Sequence, residues 1–399
     1  MNDPGVLPLS DGCLDDERLA RLELSLMAEP GSSSVLALLV EELGGRETVE
    51  RIRHRDGSLV RVPPAWPAGL TPELTARAAA LLSTQHPGAP RWMCPGDAEW
   101  PQRLTDLAHA EDLQGLGGPP LGLWVRGQAG LSGVVDSAVA VVGARAATSY
   151  GIQVAGDVAA DCAARDITVV SGAAFGIDSA AHRGALAMRG TTVAVLACGA
   201  DVAYPRAHTA LIDRIADEGL VVSELAPGST PTKLRFLARN RLIAALSCGA
   251  VVVEAARRSG SLNTLNWSSR LGRVTMGVPG PVTSSNSAGV HALIRDGGAL
   301  LVTGGDEVAE AVAPMGSQIL ADVRGEHRAG DDLDPTTRDV LEAVPARGAR
   351  GIASIAASAG ADIDTAMAVL GRLLLGGVVE RTGDGWRLTR QAAAAMKTR

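Results

Sequence analysis

A short basic run around one aromatic ring is the part of this sequence best suited to binding a charged polymer. Residues 233–241 read Lys-Leu-Arg-Phe-Leu-Ala-Arg-Asn-Arg, with four cations and no acid. Such a run suits a single nucleic-acid strand, because the cations meet phosphates while the ring stacks on a base. A second interpretation stays open on this pattern alone, in which Phe236 belongs to the core and the cations form a solvated face.

Small residues follow three of the predicted strands and open the helices that come next. They are the stretches 143–145, 171–176 and 259–261. Free backbone N–H groups and the helix dipole attract anions at such junctions, so several of them on one sheet edge predict a groove for a polyphosphate. The candidate contacts are Gly143, Arg145, Ser171, Gly172, Gly176, Lys233, Phe236, Arg239, Asn240, Arg241, Ser259, Gly260 and Ser261.

Several catalytic and cofactor-binding motifs are missing from the sequence. Neither lysine stands in a Gly-Lys-[Ser/Thr] loop, and the first turn of the predicted sheet lacks Gly-x-Gly-x-x-Gly. There is no Gly-x-Ser-x-Gly elbow and no His-Glu-x-x-His pair. Asp178 and His182 share a helix face, which predicts a structural pair rather than a metal site. We therefore expect no cofactor, no metal ion and no catalytic residue.

Composition limits the kind of protein this can be. The formal net charge is −7 over 399 residues, which argues against a surface that is basic throughout but allows a local basic site. The five cysteines are far apart and form no Cys-x-x-Cys pair, which argues against disulfides and zinc. No run reaches the ~18 apolar residues of a membrane span, and no secretory signal is visible. These features predict a cytoplasmic protein.

The elements that must position the candidate residues lie in a central α/β region. Short apolar strands alternate with helical patterns, which predicts a doubly wound, Rossmann-like parallel sheet with helices on both faces. The predicted strands are 138–142, 167–170, 193–196, 220–222, 251–253 and 274–276. An irregular stretch follows the fourth strand, before a helix predicted over 239–247.

Two smaller regions flank this sheet. Apolar residues at helical spacing predict helices over much of 14–84, and Thr71 is a candidate cap for one of them. Near the other end, three helical patterns and a hairpin around Gly383-Asp384-Gly385 predict a winged helix. The predicted organisation is a helical domain 1–91, a Rossmann-like domain 92–312, a linker 313–333 and a winged helix 334–399.

Ordered motifs between about residues 92 and 302 resemble the DNA-processing protein A family, also called Smf. Its Val-Gly-Ser-Arg turn is similar to 142–145, and its Ser-Gly-x-Ala-x-Gly-Ile-Asp-x-x-Ala-His element to 171–182. Its Tyr-Pro loop is similar to Tyr204-Pro205. Further matching segments are Phe236 to Ser247, Glu254 to Leu262 and Val278 to Pro281.

The resemblance implies a binding protein rather than an enzyme. Members of the family bind single-stranded DNA, protect it, and load RecA recombinase onto it in natural transformation. By position, Arg145 and Lys233 would contact phosphate, Phe236 would stack on a base, and Arg239 to Arg241 would shape the pocket. The resemblance also implies a homodimer and a SAM-like fold for the N-terminal helices.

The chain departs from the family pattern at several positions. Ala144 replaces a serine and removes a hydroxyl donor, while leaving the backbone N–H. Phe175 stands where many members have arginine, and Leu237 replaces a common proline. In the predicted winged helix, Arg372 is the only cation of the third helix. This favours a protein-contact or autoregulatory role there over duplex reading.

Two other functions stay open. One is a nucleoside monophosphate phosphoribohydrolase, a related Rossmann-like enzyme in which a glutamate follows a Pro-Gly-Gly-x-Gly-Thr loop. Here the corresponding strand exit begins at Glu254 and lacks that loop. The other is a transcription regulator that reads duplex DNA through residues 334–399. The weak charge of the third helix argues against it.

Overall fold

The computed structural model describes residues 11–32, 34–54, 66–83, 88–314 and 333–395. The chain divides into two compact units, residues 1–320 and 321–399. The first contains the sheet and the N-terminal helices, and the second contains the C-terminal helices and hairpin.

The first unit is built on a nine-stranded sheet of order β1-β2-β6-β5-β4-β3-β7-β8-β9. Strands β3 to β9 pair in parallel, whereas β2 lies between β1 and β6 and pairs with both in antiparallel fashion. The mostly parallel α/β class is therefore as predicted. The strands are β1 Arg91–Met93, β2 Leu123–Arg126, β3 Ala138–Val142, β4 Thr168–Ser171, β5 Thr192–Val195, β6 Leu220–Ser223, β7 Gly249–Val252, β8 Val274–Gly277 and β9 Leu300–Leu301.

Apolar runs explain the central strands. All five residues of β3 are buried, as are all four of β4, β5, β6 and β7, which is what helices on both faces require. Each predicted strand is present within two residues of its expected bounds. The sequence interpretation missed β1, β2 and β9, because two to four residues carry too little pattern to distinguish a strand from a loop.

Helices cover the sheet and the region before it. They are α1 Asp11–Met27, α2 Ser34–Leu43, α3 Gly45–Arg53, α4 Trp66–Gly69, α5 Pro72–Ser83, α6 Leu131–Val135, α7 Ser149–Ala163, α8 Ile177–Ala187, α9 Thr209–Glu218, α10 Lys233–Ala245, α11 Ser261–Arg270, α12 Ala288–Arg295 and α13 Gly305–Val312. Short 3₁₀ helices span Gln102–Ala108 and Arg206–His208. As predicted, Thr71 caps α5, its hydroxyl accepting from the N–H of Leu74 at 3.3 Å.

Helix α10 begins six residues earlier than predicted. The Thr232 hydroxyl accepts a hydrogen bond from the N–H of Arg235 at 3.3 Å, so the helix is capped at 232. The basic run is thus helical from Lys233 onward, and the irregular stretch ends before it. The periodicity concealed this start because the first two turns carry exposed cations as well as apolar residues.

The chain order of the sheet identifies where a ligand can bind. From β3 the chain builds outward through β4, β5 and β6, then crosses back to place β7 on the other side of β3. Such a reversal opens a crevice at the carboxyl ends of the two central strands. The turns after Val142 and Val252 lie at this point.

The N-terminal helices pack onto the sheet unit. Leu22 of α1 and Ala78 of α5 belong to the same buried cluster as Trp124 of β2 and Ile212 of α9. A separate cluster, which includes Leu24, forms a small core within the helical region itself. The helical region therefore has its own core and a second apolar face against the sheet unit.

The C-terminal unit contains three helices, a two-stranded hairpin and one short helix. Its core includes Val340, Ile355, Leu370 and Trp386. Across the helices that the structure describes, none is by itself long and apolar enough to span a membrane. The elements are α14 Pro335–Ala343, α15 Ile352–Ala359, α16 Ile363–Leu375, β10 Val379–Thr382, β11 Gly385–Leu388 and α17 Arg390–Ala395.

Candidate nucleic-acid interface

A pocket of about 760 Å³ opens at the carboxyl ends of β3 and β7. Its walls include the turn after β3 and the amino-terminal ends of α10 and α11, so two helix N-termini converge on it. Nine of the thirteen residues selected from the sequence line it: Gly143, Arg145, Lys233, Phe236, Arg239, Asn240, Ser259, Gly260 and Ser261.

Phe236 lies at the centre of a cluster of cations and rings. The guanidinium carbon of Arg145 is 4.6 Å from its ring centroid, and that of Arg239 is 6.0 Å away. The Tyr204 ring is 5.7 Å from the Phe236 ring and inclined by 54°. Phe236 is half-buried rather than part of the core, which answers the question that the local pattern left open. The cluster can offer a planar surface to a base and positive charge to its phosphate.

Arg239 is held in place by backbone carbonyl groups. Its Nη1 donates to the carbonyl oxygens of Gly172, at 2.9 Å, and Val195. Burial lowers the pKa of Arg239 to about 10, the nearby Asp178 acting in the opposite direction. The guanidinium therefore stays charged at neutral pH and brings fixed positive charge to the pocket wall.

The four cations of 233–241 divide between the pocket and the fold. Lys233 is exposed at the pocket rim, at the first position of α10. Arg235 instead donates to both oxygens of Glu29, at 2.6 and 2.8 Å. Arg241 is 1% exposed in its side chain and forms a two-point ion pair with Glu224, both bonds at 2.7 Å. Two of the four cations are thus neutralised by protein carboxylates.

Four selected residues lie behind the pocket wall rather than on it. Arg241 also donates to the carbonyl of Gly118 at 3.0 Å, which fixes α10 against the preceding loop. The Ser171 hydroxyl donates to the Val141 carbonyl at 2.6 Å, and Gly172 supplies the carbonyl that Arg239 binds. Gly176 caps α8 at φ 77°, where a Cβ would come within 2.3 Å of the Ala144 carbonyl. These residues shape the pocket without facing it.

Asn240 and the 259–261 turn form the polar side of the pocket. The Asn240 amide donates to Oδ1 of Asn263 at 3.3 Å. The hydroxyls of Ser259 and Ser261 are 2.7 Å apart, and Gly260, which has no side chain to cap α11, precedes the helix. The start of α11 is thus a small-residue turn that a phosphate oxygen can approach.

Asp178 and His182 have separate structural partners. Oδ2 of Asp178 accepts from the N–H groups of Gly172, at 3.2 Å, and Ala174, at 3.4 Å. Burial raises the pKa of Asp178. Nδ1 of His182 lies 2.7 Å from the Thr192 hydroxyl, and burial lowers its pKa to about 3. In the described part of the chain, no group of acids, histidines and cysteines could hold a metal ion.

Glu254, the residue on which the enzyme hypothesis depends, is engaged by the start of α7. Its 1% exposed side chain accepts from the Thr148 hydroxyl at 2.6 Å and from the Thr148 N–H at 2.9 Å. Its carbonyl accepts from the N–H of Ala144 at 2.7 Å. The Ala144 N–H, which is present although Ala144 replaces the serine of the family pattern, is therefore already hydrogen-bonded. The Glu254 carboxylate lies outside the pocket lining.

Sequence reasoning missed several residues that line the pocket. Tyr204 stands in the Tyr-Pro motif and Arg258 in the matching segment from Glu254 to Leu262, but neither is among the thirteen candidate contacts. Asn286 donates to the carbonyl of Ala146 at 2.8 Å and comes from the loop after β8. Two signals in the sequence could have identified Tyr204, namely the Tyr-Pro motif and the scarcity of tyrosine, which occurs twice in the chain. By contrast Phe175 is 49% exposed, packs edge-on against His208 and lies outside the lining.

Comparison with known proteins identifies the family. Residues 91–313 match the model of DNA recombination-mediator protein A. The chain belongs to the DNA recombination-mediator protein A family. It is 43% identical over 382 residues to the "Putative DNA processing protein DprA" of Mycobacterium tuberculosis, covering 95% of this chain and 96% of that one.

Two further comparisons involve Streptococcus pneumoniae. Its "DNA processing protein DprA" is 40% identical over 207 residues, 52% of this chain and 72% of that one. An X-ray structure of DNA processing protein A from the same species superimposes with a TM-score of 0.61 at 30% identity, over 76% of this chain and 98% of that chain. Together these relationships assign the chain to DNA processing in recombination.

Proposed function

We propose that the protein binds single-stranded DNA in the pocket after β3 and β7 and delivers it to RecA recombinase. The observation that carries this is the Arg145–Phe236 pair, a cation 4.6 Å from an aromatic ring at the opening of two helix N-termini. A duplex keeps its bases stacked inside, whereas a single strand can offer a base to Phe236 and its phosphate to Arg145 and Lys233.

The placement of the other cations supports a small, local site. Arg235 and Arg241 are paired with Glu29 and Glu224, so free positive charge is concentrated at Arg145, Lys233, Arg239 and Arg258. An acidic protein of net charge −7 then attracts DNA at this pocket without attracting it everywhere. Affinity should be dominated by phosphate contacts and fall steeply with salt.

The test is fluorescence anisotropy with labelled oligo-dT and a duplex of equal length, across a salt series. We expect a strong, salt-sensitive preference for the single strand. The double variant Arg145→Glu/Lys233→Glu should lose binding while its circular dichroism spectrum is unchanged. Arg46→Glu/Arg214→Glu is the matched control, because it changes net charge equally at exposed positions outside the pocket lining. An equal loss of oligo-dT binding in the two double variants would refute the proposed binding site.

The role downstream of binding is part of the same proposal. We propose that the protein acts in the cytoplasm as a homodimer and protects incoming single strands during natural transformation. It would also promote RecA filament formation on them. Protection is measured as nuclease resistance of bound oligo-dT, and RecA loading as a shorter lag before RecA hydrolyses ATP on single-stranded DNA. Light scattering of the purified protein gives the oligomeric state.

The flanking regions fit the proposed domain organisation. Three helices followed by the β10–β11 hairpin support a winged helix at 334–399, and five helices before residue 91 support a SAM-like domain at 1–91. The Rossmann-like domain 92–312 carries the DNA pocket, and 313–333 is the proposed linker. The Glu254 contacts with Thr148 favour this binding role over base cleavage from nucleotides.

A further inference from the structure

The C-terminal unit carries its own concentration of positive charge, away from the helix that normally reads DNA in three-helix DNA-binding domains. The stretch from 346 to 390 contains six arginines and four acids. Two of the acids, Asp362 and Asp364, lie at the start of α16, and the other two, Glu380 and Asp384, lie in the hairpin. Arg372 belongs to α16, and the other five arginines are Arg347, Arg350, Arg381, Arg387 and Arg390.

Three of these arginines surround a concave surface of about 410 Å³, which we call the hairpin pocket. Its walls come from the loop before α15, the outer face of the β10–β11 hairpin and α17. The side chains of Arg347 and Arg390 are exposed, and neither forms a hydrogen bond or ion pair with a residue in the described ranges. Arg387 is paired across the hairpin with Glu380 at 2.6 Å, both side chains being over 40% exposed.

Helix α16 is unsuited to the same ligand. Its exposed side chains are largely apolar: Ile363 is 52% exposed, Met367 48% and Leu375 91%. Its one cation, Arg372, donates to the Thr337 hydroxyl at 3.2 Å. A helix with this surface cannot supply the several polar contacts that base reading in a major groove requires. Among the residues that the structure describes in this unit, the hairpin side is therefore better suited to a nucleic-acid contact than α16.

We propose that the hairpin pocket is a second, sequence-independent binding site for the phosphodiester backbone of nucleic acid. Guanidinium groups match phosphate oxygens in a two-point geometry, and three of them around one concavity can hold a single phosphate. Among the described residues, a phosphate that binds Arg347 or Arg390 would displace no existing partner of their side chains. Arg387 would lose only its exposed ion pair with Glu380, and such a pair contributes little to stability. No aromatic side chain lines the pocket, and its arginines are suited to phosphate oxygens, so we expect the site to bind the backbone without sequence preference.

A weak second site raises the overall affinity for DNA when another site of the same protein binds the same strand. When one site is occupied, the same polymer reaches the other at high effective concentration, so modest contacts become measurable. Only this gain in affinity rests on the proposed function of the first pocket, which is the pocket after β3 and β7. The hairpin pocket binds phosphate whether or not the first pocket does.

The test uses the full chain and two sets of variants. Arg347→Ala/Arg387→Ala/Arg390→Ala removes the hairpin arginines. Arg46→Ala/Arg214→Ala/Arg295→Ala is the control with the same net charge, since its arginines lie in exposed ion pairs outside both pockets. Both triple variants are made in the wild-type chain and in the Arg145→Glu/Lys233→Glu chain, and binding of oligo-dT and duplex is measured across a salt series.

The expected results separate the two sites. With the first pocket intact, the hairpin variant should reduce the slope of log affinity against log salt for oligo-dT by about 0.7, because the hairpin pocket holds one phosphate and each neutralised phosphate contributes about that amount. With the first pocket disabled, residual binding of either polymer should fall at least tenfold. A loss of binding to oligo-dT alone, or to the duplex alone, would also support the site and would show which of the two polymers it prefers.

Two results would overturn the inference. One is that the hairpin variant matches the control in both backgrounds. The other is that the arginines bind poly-glutamate while DNA binding is unaffected, which would assign the surface to an acidic protein. Unchanged binding in the Arg145→Glu/Lys233→Glu chain is a different result. It contradicts the proposed function and leaves the hairpin comparison interpretable, because the control variant is read in the same background.

Discussion

The guanidinium carbon of Arg145 lies 4.6 Å from the centre of the Phe236 ring. The two residues are 91 positions apart in sequence, one in the turn after β3 and the other in the second turn of α10. Their contact means that a base stacking on this face of Phe236 must share it with Arg145 or displace it. We therefore expect the ring and the cation to act on a bound base as one unit.

Removing the Phe236 ring should weaken single-strand binding by ~1–3 kcal/mol, the usual value of one stacked base. Because Arg145 packs on the same ring, the effects of Phe236→Ala and Arg145→Ala should not add. A double-mutant cycle on oligo-dT affinity measures this coupling. Strict additivity would show that the pair does not act together on DNA. Phe175→Ala, at an exposed aromatic outside the pocket lining, is the matched control.

Tyr204 should contribute to the same stacking surface. It is 42% exposed and its ring centroid is 5.7 Å from that of Phe236. We expect Tyr204→Ala to reduce oligo-dT affinity by ~1 kcal/mol or more, and Tyr204→Phe to keep most of it, because stacking needs the ring and not the hydroxyl. Anisotropy on both variants checks this. Equal loss in the two would assign the effect to the hydroxyl instead.

The Arg241–Glu224 pair should matter for stability rather than for DNA contact. Arg241 is fully buried, and its removal leaves the Glu224 carboxylate without its two-point partner. Breaking such a pair costs about 3–5 kcal/mol, so Arg241→Ala should lower the free energy of unfolding by that order. Urea unfolding measures it. Arg214→Ala, which breaks the exposed pair with Glu218, should change stability by well under 1 kcal/mol.

Acid should destabilise the fold partly through His182. Burial lowers the pKa of His182 from 6.5 to about 3, so the unfolded chain takes up a proton in this window that the folded chain does not. The contribution is fully present above pH 6.5 and is lost as pH falls toward 3, by about 1.4 kcal/mol per pH unit. Burial raises the pKa of Asp178, which acts with the opposite sign.

The His182 contribution can be isolated by substitution. Unfolding free energies between pH 7 and pH 4 should fall less steeply in His182→Asn than in the wild-type chain. His109→Asn, which replaces an exposed histidine, is the control. Identical slopes in all three proteins would contradict a buried neutral imidazole.

Helix α16 and the central strands show what local pattern can determine. Asp362 caps α16 through the N–H of Thr365 at 2.7 Å, and the helix then covers 363–375, as its periodicity predicts. The central strands follow from uninterrupted apolar runs in the same way. These features depend on neighbours a few residues apart, which a sequence displays directly.

The roles of the cations depended on the tertiary structure. Residues 233–241 present four similar cations, yet Lys233 is exposed at the pocket, Arg235 pairs with Glu29 and Arg241 with Glu224. The partners are 206 and 17 residues away from the cations they neutralise. Whether a charge is free to meet a ligand is set by which carboxylate the fold brings within about 3 Å, and residue type and local spacing contain no record of that distance. The sequence by itself therefore determined the central strands, the helices and the basic character of the site, and only the folded chain decided which charges face the pocket.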